Sequence, residues 1–265
     1  MKPKDILVHQ DGGERDVMLL HLALGLAKRF EARLTALFFR PTGRFPLRQD
    51  ERECDEPAEQ AERVFLAAIG QEKVEGRFWR LKCGEPGAML AETVFAARFF
   101  DLVVLGQFVQ GAPQPDEFVE QVILQSGRPC LVVPAVGAYP VVGTNVLIAW
   151  NGGREAARAL HDSLALIKGA ECVEILRVHA NDGFTASPVP ASLRDHLGAH
   201  GITAISERLA GEDIGVMDLI LSRSFDLGAN LLVMGAHGGY HLPFLRGAGT
   251  RHILRHMTLP VLMAC

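Results

Sequence analysis

One pattern is written twice along this chain, and the repetition limits what it can fold into more than any other feature. Residues 4–39, KDILVHQDGGERDVMLLHLALGLAKRFEARLTALFF, align without a gap on residues 144–179, TNVLIAWNGGREAARALHDSLALIKGAECVEILRVH, at an offset of 140. Asp11-Gly12-Gly13 falls on Asn151-Gly152-Gly153, Leu20 on Leu160, His21 on His161 and Phe38 on Val178. The match resumes after a variable middle. Cys83-Gly84-Glu85 answers Ala210-Gly211-Glu212, DLVVLG at 101–106 answers NLLVMG at 230–235, and RPCLVVP at 128–134 answers LPVLM at 259–263. Whatever unit one half builds, the other half builds again.

The unit itself follows from periodicity. Ile6 to His9 and Leu34 to Phe39 read as strands around a helix from about Arg15 to Phe30, whose apolar spacing at Val17, Leu20, Ala23, Leu24 and Ala27 is helical. Further helices are predicted at Glu56–Ile69, Gly87–Phe99, Glu117–Gln125, Ser192–His200, Met217–Phe225 and Thr250–His256. Strands alternating with helices predict a parallel sheet covered on both faces. The expected fold class is therefore α/β, with two tandem five-stranded parallel-sheet domains of Rossmann-like character. Val136–Gly143, with its glycines and proline, marks the boundary between domains at 1–138 and 144–265. Pro41–Pro57 and Ala180–Pro190 are predicted to be exposed loops.

Composition narrows the function classes. At 265 residues with 48% apolar content the chain can fill real cores, and a net charge of −4 gives no electrostatic case for nucleic acid or an anionic membrane. MKPKDILVHQDGG is no signal segment and no apolar run approaches eighteen residues, which predicts a cytoplasmic protein. Five cysteines without CxxC or Cys/His ligand spacing predict thiols rather than a disulfide or zinc framework.

The most chemically suggestive stretch is Asn230–Cys265. An apolar run, Leu231 to Met234, breaks at Gly235, and small residues recur at Gly238, Gly239, Gly247, Ala248 and Gly249 before a helix opens at Thr250. A strand, a glycine loop and a helix start bring backbone N–H groups close to an anion without a Cβ in the way, so the natural guest is phosphate.

Two such halves, each opening with VLxxx(D/N)GG in the later copy's spelling and the second ending in G-x2-G, a gap, Gly-Thr and a helix, resemble the universal stress protein family over nearly the whole chain. The nucleotide-binding members carry G-x2-G-x9-G-(S/T), and Gly235-Ala236-His237-Gly238 supplies its first half. After nine intervening residues, 239–247, comes Ala248, with Gly249-Thr250 one step later; either Ala248 takes the third glycine position or the loop carries one extra residue. The resemblance implies ATP or another adenine nucleotide as cofactor, held by Asn151, Val178, Gly235, His237, Gly238, Ala248, Gly249 and Thr250. It also implies a stress-response regulator that signals to an unknown protein partner. Asn151 stands where aspartate is commoner, which predicts binding without strong magnesium dependence. The family pairs domains through their last strands, so PCLVVPA near 130 and PVLMA near 261 are expected to form an internal pseudo-dimer, with a homodimer of whole chains left open.

The first half keeps Asp11 but follows Gly106 with QFVQGAPQPDEFVEQ, which lacks the second glycine and puts Asp116, Glu117 and Glu120 where a polyphosphate would lie. It is expected to bind no ATP. His196/His200 and His252/His256 have metal-compatible spacing but no HExxH glutamate and no evident third ligand, so no metal is expected. There is no GxxxxGK(S/T), no nucleophile elbow and no loop lysine; the chain is read as a binding protein and not an enzyme, with slow ATP hydrolysis left open. The competing reading is a protein-interaction module whose glycine loop is vestigial.

Overall fold

The computed structural model describes residues 2–41, 48–112, 114–179, 189–210, 215–237 and 247–265, with the side chains of 48–54, 178, 179, 189, 190 and 210 left aside. The chain divides into two compact units, Lys2–Pro140 and Val141–Cys265.

The N-terminal unit runs β1 (Asp5–Gln10), α1 (Asp16–Phe30), β2 (Arg33–Phe38), α2 (Arg48–Glu72), β3 (Gly76–Arg80), α3 (Pro86–Ala97), β4 (Leu102–Gly106), α4 (Phe118–Ser126) and β5 (Cys130–Val133). Its strands lie in the order β3-β2-β1-β4-β5, all parallel. The C-terminal unit repeats the series as β6 (Asn145–Ala149), α5 (Arg154–Ile167), β7 (Cys172–His179), α6 (Val189–Ala199), β8 (Ile205–Ala210), α7 (Val216–Asp226), β9 (Leu231–Gly235), α8 (Ala248–His256) and β10 (Val261–Ala264). Its order is β8-β7-β6-β9-β10, again parallel.

The repeated motifs are repeated because they solve the same backbone problems. Asp11 Oδ1 accepts the N–H of Gly13 at 2.9 Å, and Asn151 Oδ1 accepts that of Gly153 at 2.9 Å. Each closes a turn whose middle glycine is left-handed, φ +79 at Gly12 and +78 at Gly152, and launches the first helix of its unit. At the opposite end of the sheet, Asp101 Oδ2 accepts the N–H groups of Lys4 and Asp5 at 2.8 and 3.1 Å, while Asn230 Oδ1 accepts those of Gly143, Thr144 and Asn145 at 3.0, 3.0 and 3.1 Å. The first residue of DLVVLG and of NLLVMG thus clamps the entry to the central strand beside it.

Central strands are apolar on both faces, as covered parallel sheets require: Ile6, Leu7 and Val8, like Leu231, Leu232 and Val233, have no exposed surface. Two expectations need correction. The loop predicted over 41–57 is helical from Arg48, since α2 continues through Pro57; residues 42–47 lie outside the described residues. Its charged sequence, RQDERECDE, lacks the apolar spacing that would have marked it as helix. Cys83 is disulfide-bonded, whereas Cys130, Cys172 and Cys265 are free thiols. A bridge needs only two side chains brought together by the fold, which linear spacing does not reveal. Of the helix positions named above, Val17 faces solvent; Leu20, Ala23, Leu24 and Ala27 are buried. No helix among the described residues is long and apolar enough to cross a membrane.

Candidate functional site

In each unit the strand order reverses beside the first strand, and the crevice outside the carboxyl ends of the strands at that reversal is where open α/β sheets bind ligands. In the C-terminal unit this crevice, between β6 and β9, is a pocket of about 120 Å³. One wall comes from Ala149, Trp150 and Asn151 at the end of β6, with Leu176 of β7 behind them. A second comes from Val216, Met217 and Ile220 of α7. Met234, Gly235 and His237, leaving β9, and Gly247, Gly249 and Thr250, opening α8, complete it. The interior is therefore a largely apolar slot, with polar groups contributed by Asn151, His237 and Thr250, the last accepting the His237 backbone N–H at 2.8 Å.

Each glycine there has a distinct steric reason. A Cβ on Gly235 would lie 2.5 Å from the backbone nitrogen of Ala156, because the start of α5 rests directly on the end of β9. Gly249 faces the thioether of Met217, 3.2 Å from where its Cβ would be. Gly247 has φ +82 and is the N-cap of α8, so it carries the left-handed turn itself. Among the described residues no side chain caps that helix start. Ala248, one residue on, is an exposed first helical residue that does not line the pocket. The conformational demand for glycine falls on Gly247, a residue the motif comparison passed over.

Of the predicted site residues, Asn151, Gly235, His237, Gly249 and Thr250 converge on this pocket. Ala248 does not. Val178 belongs to β7, where its backbone pairs with Leu209, and the strand's contribution to the pocket is Leu176, two residues earlier. Gly238 lies outside the described residues. The apolar lining from α7, Met217 and Ile220, had no motif to announce it. Trp150 lines the pocket and is half-buried; its indole Nε1 is buried with no acceptor among the described residues.

α7 is held in place from below. Glu174 of β7 is fully buried and takes a two-pronged contact from Arg223, Nε at 2.8 Å and Nη2 at 2.7 Å, while Arg223 also pairs with Glu207. That hydrogen bonding pushes the guanidinium pKa further up, so the positive charge is permanent. His252 Nε2 lies 2.8 Å from Asp218 Oδ1 and ties α8 to α7 at the surface. Of the histidines with ligand spacing, His196 and His200 meet edge-on with centroids 4.8 Å apart, and His252 and His256 lie tilted with centroids 4.4 Å apart.

The equivalent crevice of the N-terminal unit, between β1 and β4, is occupied by its own side chains. Arg15 reaches across the end of β4 to donate to the carbonyl of Gln107, and its Nη1 would be 3.3 Å from a Cβ on Gly106. Gln114 Nε2 donates to Asp11 Oδ2 at 2.9 Å, and the His9 ring packs on Phe118 with centroids 4.9 Å apart. Asp16 accepts the N–H groups of Asp11 and Gly12 at 3.3 and 2.8 Å. Burial, with the nearby Asp11 charge, pushes its pKa up to about 7, and burial drives that of His9 down to about 4.

No protein-family model matches the chain, and no curated protein matches it. Solved structures do. A universal stress protein from Archaeoglobus fulgidus superposes with a TM-score of 0.78 at 19% identity, over 100% of this chain and 96% of that one. A protein of unknown function and a putative universal stress protein, both from Pseudomonas aeruginosa, give TM-scores of 0.64 and 0.61 at 17% identity, each over 99% of this chain and over 92% and 93% of their own. The fold is that of the universal stress proteins, with about two domain lengths in a single chain.

Proposed function

We propose that this chain is a tandem universal stress protein whose C-terminal unit binds ATP or a related adenine nucleotide, and whose occupancy is read by a protein partner in the cytoplasm. The observation that carries the reading is the open apolar slot at the end of β6 and β9, walled by Leu176, Met217, Ile220 and Met234, running out to the start of α8 at Gly247, which no described side chain caps. An apolar slot accepts the flat face of a base, and bare amides at a helix start accept an anionic tail. The filled crevice at Arg15, Gln114 and Phe118 supports a first unit that takes no nucleotide. The reading is binding and release rather than turnover.

Mass spectrometry of the purified protein after denaturation tests whether an adenine nucleotide is carried along, and equilibrium dialysis with ATP, with and without EDTA, tests affinity and metal need. Binding that survives EDTA is expected, since Asn151 offers an amide and not a carboxylate. No co-purified nucleotide and no ATP binding at millimolar concentration would end the proposal. A second reading, an interaction module without ligand, is favoured by the exposed Phe95 and Phe99, 58% and 62% exposed and stacked edge-on at 5.3 Å beside the end of α3.

A further inference from the structure

We propose that His161, His196 and His200 bind a divalent transition-metal ion of the zinc class, at a site in the C-terminal unit that shares no residue with the pocket at Gly235. The spacing of His196 and His200 offers two ligands one helical turn apart, and the sequence shows no third. The fold brings one. His161 of α5 meets His196 of α6 edge-on with ring centres 5.0 Å apart, and His196 meets His200 at 4.8 Å. Leu160 on α5 and Leu197 on α6 are both buried, which sets the rotation of each helix and leaves the neighbouring histidines at the seam between them. The end of α6 is closed by Gly201 N–H donating to the Gly198 carbonyl at 2.9 Å and Ile202 N–H to that of Leu197 at 3.0 Å, so the backbone of His200 is fixed one turn beyond His196.

Two imidazoles on one tetrahedral ion, with metal–nitrogen bonds of about 2.0–2.1 Å, have ring centres about 5 Å apart. The two helices already hold the rings at that separation. Among the described residues no three His, Cys, Asp or Glu side chains stand ready as a metal site, so the rings must turn to complete this one. His161 and His200 are exposed and can rotate about χ1 and χ2 without disturbing the core. His196, between them, is half-buried, and its Nε2 is buried with no hydrogen-bond partner among the described residues. An orphaned buried nitrogen is costly unless something occupies it. As packing alone, three imidazoles serve poorly, since they offer less apolar surface than the leucines beside them and repel one another when protonated. Imidazole donors favour zinc, copper or nickel over magnesium or calcium. The first unit is an internal comparison: His21, aligned with His161, shares a surface pocket with Ala68, Gln71 and Glu72 of α2, a helix without histidine.

The test titrates zinc and, separately, magnesium into the full chain by calorimetry, in a Cys265→Ser background because the exposed thiol is itself a zinc ligand. One zinc ion and no magnesium are expected to bind. His161→Ala, His196→Ala and His200→Ala should each weaken zinc at least about tenfold, since even losing a residue that only orients a ligand costs that much. His256→Ala should leave zinc affinity unchanged, and His161→Asp, which restores a ligand atom, should recover part of the loss. Zinc should raise the thermal midpoint of the unchanged protein and not that of His196→Ala, with melts in EDTA showing that each variant folds. Zinc affinity unaltered in His161→Ala would reduce the site to a helical pair and overturn the proposal. So would a loss confined to His256→Ala, equal binding of magnesium, or no zinc uptake at submillimolar concentration.

Discussion

Asp16→Asn is expected to stabilise the N-terminal unit at alkaline pH and to do so less, or not at all, in acid. The carboxyl is almost completely buried, with 8% of the residue exposed, and its pKa rises from 3.8 to about 7 because burial and the Asp11 charge both disfavour ionisation. The folded chain therefore holds a proton that the unfolded chain releases between these two values. Stability from this group is fully present below pH 4, falls as pH rises towards 7, and stays reduced above it. A shift of about three units corresponds to roughly 4 kcal/mol of penalty for the ionised side chain at pH 8. Asparagine removes the charge but turns an amide NH2 towards one of the two backbone donors, Asp11 N–H or Gly12 N–H, that the carboxylate now satisfies. Losing one buried hydrogen bond returns about 1–3 kcal/mol of that gain, leaving a net stabilisation on the order of 1–3 kcal/mol.

His9 makes the wild-type profile deceptive. Its pKa is held near 4 against an ordinary 6.5, so its contribution is present above 6.5 and is lost as pH falls towards 4. Across that interval the two slopes have opposite sign and largely cancel. Asp16→Asn should therefore uncover a steep loss of stability on acidification that the unchanged protein hides. Trp79 in β3 reports the N-terminal unit and Trp150 the other, so urea titrations followed by tryptophan fluorescence in a Trp150→Phe background, from pH 4.5 to 8.5, isolate the effect. If Asp16→Asn destabilises as much at pH 8 as at pH 5, Asp16 is an ionised cap and the argument from burial is wrong.

Four further outcomes follow from the same contacts. Arg223→Met strands the fully buried Glu174 without its partner and should cost about 3–5 kcal/mol in thermal or urea melts, much of which Arg223→Met with Glu174→Leu should restore. Gly235→Ala drives a Cβ into the backbone at Ala156 and should destabilise by about 1–3 kcal/mol while closing the pocket, measurable as lost ATP binding in dialysis. Ala248→Gly, although it moves the loop towards the family's glycine pattern, should not improve ATP affinity and should lower stability by up to about 1 kcal/mol, because Ala248 is an ordinary exposed helical residue. If the slot takes a base, ATP should change the emission of Trp150 in a Trp79→Phe background, and an unaltered spectrum under saturating ATP would place the base elsewhere.

The duplicated α/β architecture was readable because its signals are local and occur twice. The (D/N)GG turns and the continuous apolar runs of β4 and β9 each answer a constraint within a few residues of the chain. The pocket was readable only in part, because its walls are assembled across the fold. Met217 meets Gly249 through packing between α7 and α8 that no spacing rule encodes, and the Arg223–Glu174 anchor beneath them joins residues 49 apart. The start of α2 at Arg48 was missed for the opposite reason, since a charged helix with little apolar periodicity looks like a loop.

The same duplication explains why the two crevices differ although their frames agree. Asp11 and Asn151 close the same turn, so the backbones diverge little; the difference lies in what projects from them. At the 140-residue offset His9 stands where the later copy has Ala149, Asp16 where it has Ala156, and Leu19 where it has Ala159. α4 and α8 are both nine residues long, and aligning their first residues sets Phe118, Val119 and Glu120 against Ala248, Gly249 and Thr250. The first copy has large or charged groups at every one of these positions where the second has small ones, and His9 packs on Phe118 where the later copy has Ala149 and Ala248. Divergence after duplication has thus acted on side-chain volume around one crevice while the sheet, the turns and the strand clamps were kept. That is the pattern expected if one copy is maintained for its frame and the other for its cavity.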